Sequence, residues 1–127
     1  MIVLDASALL ALLHREAGWE VVAQAVVADS ATLSAVNYAE VVQKAARHAI
    51  APEDVDTAVE RLGLTVTPFG RLDARLAASF YRHRSGLSLG DRVCLALARS
   101  LSSPAFTTDR SWERWADDLG VDVHVIR

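Results

Sequence analysis

The stretch IVLDASALLALL, residues 2–13, governs the reading of the fold. Its first three residues are apolar, too few for a helix, and suit a short buried strand. The chain then passes Asp5 into an apolar run through Leu13, which Ser7 is placed to cap as a helix. A strand running straight into a helix is the opening of a β-α unit, and the same alternation returns to the end of the chain. Helices are expected over 19–28, 34–48, 52–62, 71–84 and 88–102, and strands over 32–34, 65–67, 105–107 and 121–126. Gly18, Pro52, Gly63, Gly86 and Pro104 punctuate them. A short helix carries Trp112 and Trp115. For the helix opened by Ser34 the apolar arc reads as Ala35, Val36, Ala39, Val42, Ala46 and Ala49, with Asn37, Glu40, Gln43, Lys44 and Arg47 on the polar side. Alternating strands and helices favour a parallel sheet covered on both faces.

Composition narrows the class of protein. A length of 127 residues suits one domain, expected to span 1–127 without linker or repeat. No run reaches the ~18 uninterrupted apolar residues of a membrane span, and no basic segment precedes a cleavable hydrophobic stretch. Cys94 is the only cysteine, so an internal disulfide is excluded and a reducing, cytoplasmic address is expected. The net charge of −3 argues weakly against a protein that coats nucleic acid by charge alone. Its basic side chains are almost all arginine, and Lys44 is the single lysine.

Ligands of parallel α/β sheets bind at the carboxyl ends of the strands, where connections diverge to opposite faces. Asp5 directly follows the first strand and Asp109 closely follows the fourth. Asp91 opens the helix that runs back down before that strand. Glu40 lies six residues past Ser34, roughly 9 Å along its helix at ~1.5 Å per residue. Three acids therefore converge by topology and the fourth is within reach. Each also has a plainer reading. Asp5 or Ser7 suits a cap, Ser88 and Asp91 have capping-box spacing, Asp109 suits a cap for the tryptophan-bearing helix, and Glu40 has Lys44 one turn on as a solvated partner. His14, His48, His83 and His124 stand in separate contexts without ligand spacing, and surface or packing roles are expected for them. Cys94, one turn past Asp91, reads as a buried, inert thiol.

Four strings, VLDASALLALL, SAVNYAEVVQKAAR, LSLGDRVCLALARSL and AFTTDRSWERW, occur in that order with fitting spacing. Together they resemble the PIN-domain ribonucleases, and within them the VapC-type toxins of toxin–antitoxin pairs. The resemblance covers essentially the whole chain. It implies a three-layer α/β/α sandwich around a parallel five-stranded sheet of order 3-2-1-4-5. It also implies that Asp5, Glu40, Asp91 and Asp109 are the acidic quartet that holds Mg2+ or Mn2+. Ser7, Asn37 and Thr107 match polar positions beside those acids, and Gly90 stands where alanine is commoner.

The implied function is that of a type II toxin, a metal-dependent endoribonuclease that cleaves RNA with a metal-activated water and leaves 5′-phosphate and 3′-hydroxyl ends. Implied partners are RNA, a small antitoxin lying across the acidic site, and a second copy in a homodimer. Trp19, Trp112 and Trp115 suit either interface anchoring or core packing. Arg110, beside Asp109, is the first expected RNA contact, followed by Arg71, Arg75 and Arg82 on one side of a helix. A chromosomal RNA-processing nuclease outside a toxin pair and a non-catalytic RNA-binding relative are the alternatives. A phosphoaspartate enzyme or receiver domain fits poorly, because Ser7 stands where a second aspartate is needed and the only lysine is misplaced for a receiver.

Overall fold

In the computed structural model, which describes residues 1–127, the strands are β1 (Ile2–Leu4), β2 (Ala31–Ser34), β3 (Thr65–Thr67), β4 (Ala105–Thr107) and β5 (Val123–Val125). All pair in parallel, in the order β3-β2-β1-β4-β5. The helices are α1 (Ala6–His14), α2 (Trp19–Ala28), α3 (Ala35–Ala46), α4 (Pro52–Arg61), α5 (Arg71–Ser79), α6 (Leu89–Ser100) and α7 (Ala116–Leu119). A 3-10 helix, Arg110–Trp115, precedes α7.

Strand periodicity divides the core in two. Ile2, Leu4, Leu33 and Phe106 face a cluster built with α1, α2, α3 and α4, whereas Val3 and Ala105 face one built with α5, α6 and Trp112. The three central strands are buried along their length, and the edge strands β3 and β5 are partly exposed. This is the expected α/β/α sandwich. After β1 the chain turns to one face and after β4 to the other, so a crevice opens at the carboxyl ends of this adjacent pair. No helix is long and apolar enough to cross a membrane.

Several expected boundaries differ. Asp5, not Ser7, caps α1, accepting from the Ala8 amide at 2.8 Å. In α3 the buried positions are Asn37, Val41 and Ala45, while Ala39, Ala46 and Ala49 are exposed. The buried face is rotated from the expected arc because Asn37 turns inward, where its amide nitrogen finds the polar partners described below and its Oδ1 finds none. The same helix stops at Ala46 because Ala49 turns left-handed (φ 57°) and the Ile50 amide reaches back to Ala45 O. Likewise α5 ends at Ser79: Phe80 drops into the core, and the amides of Phe80 and Tyr81 tighten onto Ala77 and Ala78. Arg82 therefore lies beyond the helix that was expected to carry it. The segment with Trp112 and Trp115 winds as a 3-10 helix, and the last strand keeps only three residues.

Trp112 is fully buried and belongs to the core, whereas Trp19 and Trp115 are half-buried. Gly18 shows why α1 and α2 can turn so tightly against the chain terminus. Its φ is 91°, and a side chain there would collide with the backbone of Ile126.

Candidate active site

The crevice at the carboxyl edge holds an open cavity of about 420 Å3, and Asp5, Glu40, Asp91 and Asp109 all line it. Each acid is also a structural element of its own segment. Asp5 follows β1 and caps α1. Asp109 follows β4 and caps the 3-10 helix by accepting from the Ser111 amide at 2.9 Å. Asp91 closes the capping box, with Oδ2 accepting from the Ser88 amide at 2.9 Å while its own amide donates to Ser88 Oγ at 3.1 Å. Glu40 has no ion pair with Lys44; its Oε1 accepts instead from Asn37 Nδ2 at 2.8 Å. For Asp91 and Asp109 the capping readings and the convergence on the cavity both hold, because one carboxylate oxygen caps and the other remains.

Three of the four acids have one oxygen anchored and one without a protein partner. Asp91 Oδ1, Asp109 Oδ2 and Glu40 Oε2 accept nothing from the protein, while their partner oxygens are anchored. Asp5 is the most constrained. Its Oδ1 accepts from Ser7 Oγ (2.7 Å) and the Ala8 amide, and its Oδ2 accepts from Thr107 Oγ1 (2.6 Å), which leaves one lone pair on Oδ2. Ser7 Oγ and Thr107 Oγ1 in turn accept the amides of Thr108 and Asp109, at 3.0 and 3.1 Å. The two hydroxyls thus lock the end of β1 to the segment that follows β4.

Asn37 and Gly90 perform the equivalent task for Glu40. Asn37 Nδ2 also donates to Gly90 O at 3.1 Å, so one buried amide ties Glu40 to the first turn of α6. A Cβ on Gly90 would lie 2.6 Å from Glu40 Oε1. The glycine leaves the space that the carboxylate occupies, which is the physical reason for its presence beside Asp91.

Burial raises the Asp5 carboxyl from its ordinary 3.8 to about 6, against hydrogen bonds from Thr107, Ser7 and Ala8 and with help from the Asp91 charge. Asp91 is also raised, chiefly by burial, with the charges of Asp109 and Glu40 adding to it. Buried carboxyls that resist ionisation, as Asp5 and Asp91 do, favour a bound cation. All the donors are hard oxygens, which suits Mg2+ or Mn2+ rather than a soft metal. No three or more His, Cys, Asp or Glu side chains stand close enough together in this structure to hold a metal ion between them. Mg2+ keeps several of its waters and needs only one or two protein carboxylates. Cys94 is fully buried, and burial followed by the nearby acids pushes its thiol well up, so it is no nucleophile.

Arg110 lines the cavity and lies 3.7 Å from Glu113. Arg71, Arg75 and Arg82 do not line it; Arg82 is engaged with Asp118 at 2.9 Å and with two backbone carbonyls. Lys44, read from the sequence as part of a solvated arc, is a wall of the cavity. Its position one turn past Glu40 was the available signal.

The PIN domain family model matches residues 2–118. The chain belongs to the PIN domain family. Solved structures support the same fold for this PIN domain. One is a toxin–antitoxin complex from Klebsiella pneumoniae, 19% identical, with a TM-score of 0.69 and 95% of each chain covered. A second is FitAB bound to an IR36 DNA fragment, 22% identical, with a TM-score of 0.72 over 98% of this chain and 94% of the other. The third is FitAcB from Neisseria gonorrhoeae, 23% identical, with a TM-score of 0.65 over 97% and 96%. Comparison with curated protein sequences gives no significant match.

Proposed function

We propose that this PIN domain, acting as one unit over residues 1–127, is a divalent-metal-dependent endoribonuclease and the toxin of a type II toxin–antitoxin pair. The observation that carries the nuclease reading is the set of four carboxylates around one cavity, three of them anchored through one oxygen and free at the other. Asp5, Glu40, Asp91 and Asp109 would hold Mg2+ or Mn2+. When bound, such an ion makes water more acidic, orients a phosphate and offsets charge in the transition state. Ser7 and Thr107 keep Asp5 aimed, and Asn37 keeps Glu40 against α6. Arg110, on the rim, offers a planar fork to phosphate oxygens. Water adds at phosphorus, the P–O3′ bond breaks, and the O3′ leaving group takes up a proton, giving 5′-phosphate and 3′-hydroxyl ends.

The toxin assignment rests on the VapC-like strings quoted above and on the fold shared with the Klebsiella complex. A small antitoxin, a homodimer and a cytoplasmic site of action belong to the same reading.

Incubation of the partner-free protein with total RNA in Mg2+, Mn2+ or EDTA, beside Asp91→Asn, tests it. Discrete fragments that require metal and disappear in the variant are expected. Equal fragments from both proteins, or none at any metal concentration, would overturn the nuclease reading. Growth arrest on expression, relieved by a co-expressed neighbouring small protein, is expected of a toxin; unimpaired growth would count against that part alone.

A further inference from the structure

Beside the acidic cavity lies a second one of about 270 Å3, and Ser7 and Lys44 belong to the walls of both. The charge changes sign across that shared wall. Around the second cavity stand His14, Lys44, Arg47 and His48, with Arg127 at its edge and Glu16 as its only carboxylate side chain. Neither Lys44 nor Arg47 is in an ion pair, and neither side chain makes a hydrogen bond within the protein. Arg127 is held to Ala17 O through Nη1 at 3.3 Å. The His14 and His48 rings, 34 residues apart in sequence, meet with centroids 4.6 Å apart, and the buried His14 Nε2 has no partner. A cation at the end of α3 is favoured by the helix dipole alone. The dipole does not account for the His14 ring brought from α1 against His48, or for the wall shared with the acids.

We propose that this second cavity is a subsite for a neighbouring phosphodiester of the RNA strand whose scissile phosphate occupies the acidic cavity. The proposal rests on the nuclease reading above and adds to it where the strand runs. A ring of carboxylates repels a polyanion except where cations intervene, so a bound strand needs fixed positive charge next to the cut. Lys44 stands at the junction as a point charge, and Arg47 beyond it offers a forked donor that fits phosphate oxygens. A strand crossing Ser7 meets both in turn.

Binding of a short labelled single-stranded RNA by the full chain in EDTA, followed by fluorescence anisotropy across salt concentrations, is the test. Arg47 is exposed at the end of its helix, so Arg47→Glu is tolerated by the fold. It is expected to weaken binding about tenfold and to reduce the salt slope by about 0.7, the value of one single-strand phosphate contact. Arg47→Lys should keep most of the affinity. Arg99→Glu, on an exposed position at the far end of α6 and lining neither cavity, should change it far less. Unchanged binding by Arg47→Glu, or an equal loss in Arg99→Glu, would overturn the subsite. Cleavage in Mn2+ is read separately. Wild-type cleavage with no binding loss in Arg47→Glu sinks the subsite and leaves the nuclease. A specific binding loss in a protein that cuts nothing leaves the subsite and sinks the nuclease.

Discussion

At Gly90 one added methyl would lie 2.6 Å from a Glu40 oxygen, and the atom that must yield is the end of a flexible side chain. Gly90→Ala should therefore displace Glu40 at little cost to the fold. Cleavage is expected to fall about tenfold or more, because misplacing a group near the reacting atoms is costly, while the thermal midpoint stays within a few degrees. Asp5 makes the opposite exchange, sacrificing stability for the site. Its folded pKa of about 6 lies above the ordinary 3.8, so the metal-free native state holds a proton that the unfolded chain releases. Stability is then greatest below about pH 4 with respect to this group and declines as pH rises to about 6, by about 3 kcal/mol in all. Melting curves of metal-free protein across that window should show the decline. Asp5→Asn should flatten it while lowering cleavage by about a hundredfold or more, in line with the loss of other transition-state stabilising groups. A pH profile identical in wild type and Asp5→Asn would refute the burial argument.

On the scale of single elements, the capping box of α6 links helix stability to the placement of Asp91. Ser88→Ala removes the Oγ that accepts the Asp91 amide. It should cost about 1 kcal/mol in denaturant unfolding and weaken Mn2+ binding as the first turn loosens. A stability loss with unaltered Mn2+ affinity would show that the cap does not position Asp91. The elements were largely legible in the sequence because strand lengths and breakers are local signals. Residues 2–4, 19–28, 65–67 and 105–107 form the expected strands and helix without change. What could not be read locally was set by tertiary contact. Asn37 looks polar and solvated on a helical wheel, yet it is buried because Glu40 and Gly90 O satisfy its amide nitrogen. Phe80 ended α5 early because the core beneath it accepts a ring. The tilted contact of the His14 ring with His48 needed α1 and α3 to be placed side by side.

Across the whole molecule, the parallel sheet brings four acids distant in sequence around one cavity. Topology alone brought Asp5, Asp91 and Asp109 together on paper, whereas Glu40 was selected only by family likeness, and Lys44 went unselected. Trp112 couples this arrangement to the core, being fully buried three residues past Asp109 in the same 3-10 turn. Trp112→Ala should destabilise the fold by about 3–5 kcal/mol in chemical unfolding; a much smaller loss would mean that the site edge is held by other contacts. The most direct measurement is the anomalous scattering of Mn2+ in crystals of the wild-type protein. A peak in the cavity bounded by Asp5, Glu40, Asp91 and Asp109, absent from Asp91→Asn crystals, is the predicted result. No peak there at Mn2+ concentrations that support cleavage, or a peak only elsewhere, would contradict the account.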